Sequence, residues 1–157
     1  MDTLDAKDPD TLYEQDFVTW TERQAALLKE GRLDLVDVAN LAEEIESLGR
    51  SQISALRSSY KLIAMHLLKL MKQPEKATPS RENTINRERG NVIDLLDENP
   101  GMRPKRSELF AKAYVSARSD AAFETQIDLE HFPEEPPFSL EQIESKAFWP
   151  PGFPRPR

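Results

Sequence analysis

Three glutamates stand within four positions in LAEEIESLG, residues 41–49. Carboxylates grouped in this way can hold a divalent cation or divide acid and base roles between them. On a helix, however, Glu43, Glu44 and Glu46 diverge. At 100° per residue Leu41, Ile45 and Leu48 define one side; Glu43 falls nearly opposite, and Glu44 and Glu46 fall on the two shoulders. One helix cannot close all three around an ion. Negative charge in the early turns of a helix also has a plain explanation, since it complements the macrodipole.

A ligand set therefore needs help from elsewhere in the chain. There are two histidines, His66 and His131, and neither follows a glutamate by three residues, the spacing used in carboxylate-bridged metal bundles. On one straight helix Glu44 and His66 would lie about 33 Å apart, so only a reversal at Gly49 would bring them together. The commoner reading of His66 is a hydrogen-bonded histidine at the edge of a core. Neither a metal nor a cofactor is expected. Gln24, Gln52, Arg89 and Glu124 also occupy positions where a helical stripe calls for apolar residues. A buried Arg89–Glu124 pair would satisfy two of them and fix register; a polar pocket is the alternative. The candidate ligand-binding set is Glu44, Glu46, His66, Arg89 and Glu124.

Charge supplies a second candidate. Residues 1–50 carry 5 Lys and Arg against 13 Asp and Glu, residues 51–106 carry 11 against 6, and residues 107–157 carry 5 against 9. The basic middle either lies beside acidic ends within one fold or forms a face for an acidic partner. Arg81, Arg87, Arg103, Lys105 and Arg106 would carry nucleic-acid binding. Nucleic acid is the less favoured partner, because such binders usually show a stronger basic bias.

The absence of cysteine excludes disulfides and thiolate chemistry. No nucleophile–base arrangement and no glycine-rich phosphate loop is recognisable. MDTLDAKDPD has no apolar stretch and does not read as a secretory signal. KLIAMHLLKLM, residues 61–71, falls well short of the roughly 20 residues of a membrane span. A soluble cytoplasmic protein without a membrane partner is expected.

Helical spacing dominates the elements that must position these residues. The expected fold is all-α, one domain over residues 1–157, four-helix-bundle-like. Residues 1–10 read as a flexible N-terminus. A first helix is predicted at about 12–30, with Thr11 and Glu14 as a capping box and Gly31 as C-cap. The second is a long spine at about 37–73. Its stripe runs Leu41, Ile45, Leu48, Gln52, Leu56, Tyr60, Ile63, Leu67, Leu70 and keeps phase through Gly49. A break at LGRSQ is the alternative. Gly49, on the inward side, suggests close approach of another element, with a hinge as the second reading. Thr78 or Ser80 would cap a third helix at 80–98, and a fourth runs from about 104 to 128. Ser139 and Gln142 would cap a short helix at 140–146. Phe148, Trp149 and Phe153 should dock the proline-rich tail on the bundle, leaving the final residues frayed.

Several segments together resemble a bacterial family, the domain of unknown function 29. They are YEQDFVTW (13–20), NLAEEIESLGRS (40–51), HLLK (66–69) with QPE (73–75), TINRER (84–89), AYVSAR (113–118), ETQI (124–127) and FSLEQI (138–143). The resemblance implies a helical protein and carries no activity, cofactor or site residue. The chain departs from the family pattern at Arg81, where tryptophan is expected, at ETQI for ETGL, and at PPF for CPY. The function expected is a non-enzymatic module that binds an unknown protein, with self-association also compatible. A metal- or ligand-binding helical bundle or enzyme using Glu44 and His66 is the alternative.

Overall fold

The computed structural model describes residues 9–153. Most of the segment expected to be flexible, and the last residues expected to fray, lie outside them. Among the described residues all regular structure is helical, as the spacing predicts. The chain separates into two compact units, Met1–Ser51 and Gln52–Arg157, and one helix contributes to both.

The first unit begins with α1, Pro9–Gln15, and α2, Phe17–Lys29. The single helix expected at 12–30 is therefore two. Position 11 lies inside α1, so the predicted cap is not at a helix start. The break comes at Asp16, whose carboxylate accepts the Thr19 amide (3.1 Å) and hydroxyl (2.7 Å) as the N-cap of α2. At the other end Gly31 takes φ +71°, its N–H reaches Leu28 O, and Arg32 N–H reaches Leu27 O. That is the Schellman ending a glycine permits. The chain then turns into α3, Val38–Lys72, unbroken through Gly49.

Asp37 ties this turn together. Its carboxylate accepts from the Asn40 amide (3.2 Å) and side chain (2.8 Å) and from the Trp20 indole (3.1 Å). Its own amide donates to Gln24 Oε1 at 2.8 Å. Gln24 thus fills its apolar-stripe position as a satisfied buried amide. Burial alone would raise the Asp37 pKa; the bonds from Asn40 and Trp20 outweigh it and hold the carboxyl below its ordinary value. Among the described residues of this unit only Trp20 and Gln24 are buried.

The second unit holds a larger core. From Leu56 onward the α3 stripe is buried as predicted: Leu56, Tyr60, Ile63, Leu67 and Leu70. Thr78 caps α4, Pro79–Glu98, with proline in the first turn. A short 3₁₀ stretch, Pro100–Lys105, leads into α5, Arg106–Thr125, which brings Ala113, Ala117 and Ala121 to the core. Helix α5 ends at Gln126 in the left-handed region, φ 58°, where glycine would be relaxed. The capping box predicted for α6, Leu140–Glu144, is present. Tyr60 donates its hydroxyl to Glu144 at 2.6 Å, and Tyr114 and Arg118 bond the carbonyls of Pro133, Phe132 and Leu129. Phe138, Ile143 and Phe153 are buried, so the proline-rich tail docks as expected.

Candidate functional site

The first unit has an apolar face that its described residues leave open. Leu28, Leu33 and Val36 form one wall of a groove of about 330 Å³, and Val38, Leu41, Ala42 and Ile45 of α3 form the other. Val38, Ile45 and Leu48 are 67 %, 61 % and 69 % exposed. The side of α3 expected to be inward over 41–48 therefore meets solvent, apart from the half-buried Leu41. Gly49 lies on the same side, and a Cβ built on it would meet nothing within 4 Å. The expected close approach at Gly49 is not made among the described residues. Scattered exposed leucines are ordinary; a contiguous apolar surface on one helix side is the feature that marks an interaction site.

The glutamates border this face and do not converge. Glu44 accepts the Tyr13 hydroxyl in a short hydrogen bond, which also raises the tyrosine pKa. Glu43 and Glu46 share Arg50, at 2.7 and 3.4 Å. His66 belongs to the second unit, and α3 makes no reversal at Gly49. Glu44 stands on the first-unit part of α3 and His66 on the part in the second unit.

Arg89 and Glu124 do not pair either. Arg89 is fully buried and donates Nε to Ile143 O (2.9 Å), Nη1 to Phe148 O (2.9 Å) and Nη2 to Gln142 O (3.1 Å). Its guanidinium carbon stands 5.4 Å from the Trp149 ring centroid. Burial pushes its pKa down to about 10, which leaves it charged at neutral pH. Glu124 instead meets Lys69, whose ammonium is buried beside it. Main-chain carbonyls accept all three of these Arg89 hydrogen bonds, and side-chain spacing in the sequence does not point to them.

A polar seam runs between α3 and α4. Ser59 donates to Glu88 at 2.9 Å. Seven residues further along α3 and seven back along α4 come His66 and Arg81, and the Arg81 charge reaches the imidazole. His66 Nδ1 and Arg81 Nη1 are buried and find no hydrogen-bond partner among the described residues. Burial pushes the His66 pKa down, and Lys69, Arg81 and Arg87 add to this against the opposing effect of Glu124. A folded-state pKa below the ordinary 6.5 means fewer protons bound when folded than when unfolded. The neutral imidazole's contribution is intact above that value and is lost as pH falls through the lower folded pKa. The melting temperature should therefore drop on acidification below pH about 6.5, and His66→Asn should make the drop shallower. Parallel melting curves for the two proteins would remove His66 from this account.

The basic candidates are largely tied up. Arg87 meets Glu88 (3.1 Å), Arg103 meets Asp97 (2.7 Å) and Arg106 meets Glu144 (2.8 Å). Lys105 is exposed and Arg81 is half-buried. Sequence reasoning passed over Asp128, Glu130 and His131, whose ligand-type atoms lie within 4.8 Å of one another. All three are exposed, and their arrangement alone assigns no ion.

No helix among the described residues is long and apolar enough to cross a membrane. Comparison with curated proteins and with solved structures finds no match. The family model described as domain of unknown function DUF29 matches residues 12–149, which spans both units and every motif quoted above. The chain belongs to the DUF29 family.

Proposed function

We propose that this protein is a cytoplasmic, non-enzymatic interaction module and that the open apolar face of its first unit is where another protein docks. One observation carries this reading. Ile45 and Leu48 meet solvent on α3, beside the exposed Val38, although the stripe they belong to is fully buried from Leu56 onward. Burying apolar surface is worth about 25 cal/mol per Å², so such a face is a standing source of affinity. Among its described residues the first unit encloses little else: one tryptophan and one glutamine are buried.

The test is photo-crosslinking in living cells with benzoylphenylalanine at Ile45. Val115 of α5 is equally exposed (68 %, against 61 % at Ile45) and serves as the control position. A discrete heavier adduct from position 45, absent from position 115, is expected. No adduct at 45, or similar adducts at both positions, would overturn the reading. So would a crosslink that leaves the single-chain mass unchanged.

A further inference from the structure

We propose that the partner presents a basic amphipathic helix: an apolar stripe that lies along Val38, Ile45 and Gly49, flanked by lysines and arginines that meet the acidic surface of the first unit. This rests on the interaction reading above and names the chemistry of the docking segment.

The shape asks for a helix. A glycine inside a helix costs about 1 kcal/mol relative to alanine, and nothing among the described residues uses the space at Gly49. Ala42 and Gly49 are seven residues apart and project along one line beside Ile45. They lower the ridge of α3 where a second helix axis would pass, at the 8–10 Å typical of packed helices. The groove beside them is apolar on both walls, which suits anchors at three- and four-residue spacing.

The charge asks for basic flanks and argues against the nearer occupants. Residues 9–51 carry 10 Asp and Glu against 4 Lys and Arg. Two of those cations are already held, Arg32 by Asp34 and Arg50 by Glu43 and Glu46. A second copy would set two acidic surfaces against each other, which disfavours association. Residues 1–8, MDTLDAKD, hold three aspartates and one lysine, so that segment has the wrong charge to fill the groove. A cationic helix from another protein meets both the apolar and the electrostatic requirement.

The full-length chain is titrated with two labelled synthetic peptides of about 20 residues that share one leucine–isoleucine stripe at helical spacing. One carries lysine and arginine flanks, the other glutamate flanks. The basic peptide should raise fluorescence anisotropy and the acidic peptide should not. Binding should weaken about tenfold in Ile45→Glu, a truncation-scale loss for a central contact, and fall with added salt. Gly49→Leu should also weaken it by filling the low ridge, while the variant's own melting temperature stays level or rises. A purely structural role for Gly49 would not give that pair of results. Equal binding of both peptides, binding of neither, or binding indifferent to both substitutions would overturn the proposal. A concentration-dependent dimer abolished by Ile45→Glu in sedimentation would assign the face to a second copy instead. If the peptides fail while the position-45 adduct persists, the partner chemistry falls and the interaction reading stands; if the adduct is also missing, both fall.

Discussion

Replacing Arg89 by methionine should lower the unfolding free energy of the second unit by about 3–5 kcal/mol and free the segment 138–153. Methionine roughly conserves the buried volume, so a cavity is not the main cause. The loss comes from three carbonyl oxygens, of Gln142, Ile143 and Phe148, that give up their donors together. Each unsatisfied buried carbonyl costs about 1–3 kcal/mol, and part of the sum returns as the released segment rehydrates and a buried charge disappears. Gln142 and Ile143 lie in the last turn of α6, where helix carbonyls have no partner of their own. A five-residue helix is too short to persist alone. Ser139 holds its start and Arg89 its end, where a cation also suits the dipole. Lysine cannot replace the planar fork, so Arg89→Lys should lose most of the same stability. Urea unfolding gives the magnitude, and hydrogen exchange over 138–153 shows whether the tail detaches. An unchanged midpoint with protected amides at 140–148 would mean that apolar docking alone holds the tail.

What the sequence revealed and what it hid divide along a physical line. Local chemistry was legible. The capping box at Ser139, the proline-opened start of α4 at Thr78 and Pro79, and the glycine ending at Gly31 follow from a few adjacent residues. So does the unbroken α3, because the stripe keeps helical phase across Gly49. Asp16 was harder. An aspartate three residues before a threonine caps a new helix only if the chain kinks there, and the apolar spacing of Tyr13, Phe17 and Trp20 runs straight through it. Arg89 was hidden for a different reason: its partners are carbonyls of α6 and of the coil just after it, more than fifty residues away. The largest misreading concerned Leu41, Ile45 and Leu48. Periodicity shows which side of a helix is apolar. It does not show whether the same chain supplies the cover. The candidate site therefore surfaced as the difference between a predicted stripe and the part of it that is buried.

That difference sets up the second large effect. Leu48 and Leu56 occupy the same predicted stripe, eight residues apart, with similar helix propensity and chemistry. Leu56 is fully buried and Leu48 is 69 % exposed. Leu56→Asp should destabilise the second unit by about 4 kcal/mol or more, because it removes a buried apolar side chain and leaves a carboxyl without a partner in the core. Leu48→Asp should change stability by about 0.5 kcal/mol or less, the usual range for an exposed position. Urea midpoints of the two variants and the parent protein, measured on the full chain, decide it. A small effect at both positions would mean that α3 is not the spine of the core. A large effect at both would mean that residues of this chain cover the face around Ile45, and the docking surface proposed there would be lost. The expected asymmetry would leave an apolar helix side that adds little to folding, and a contact made outside the chain is then its physical use.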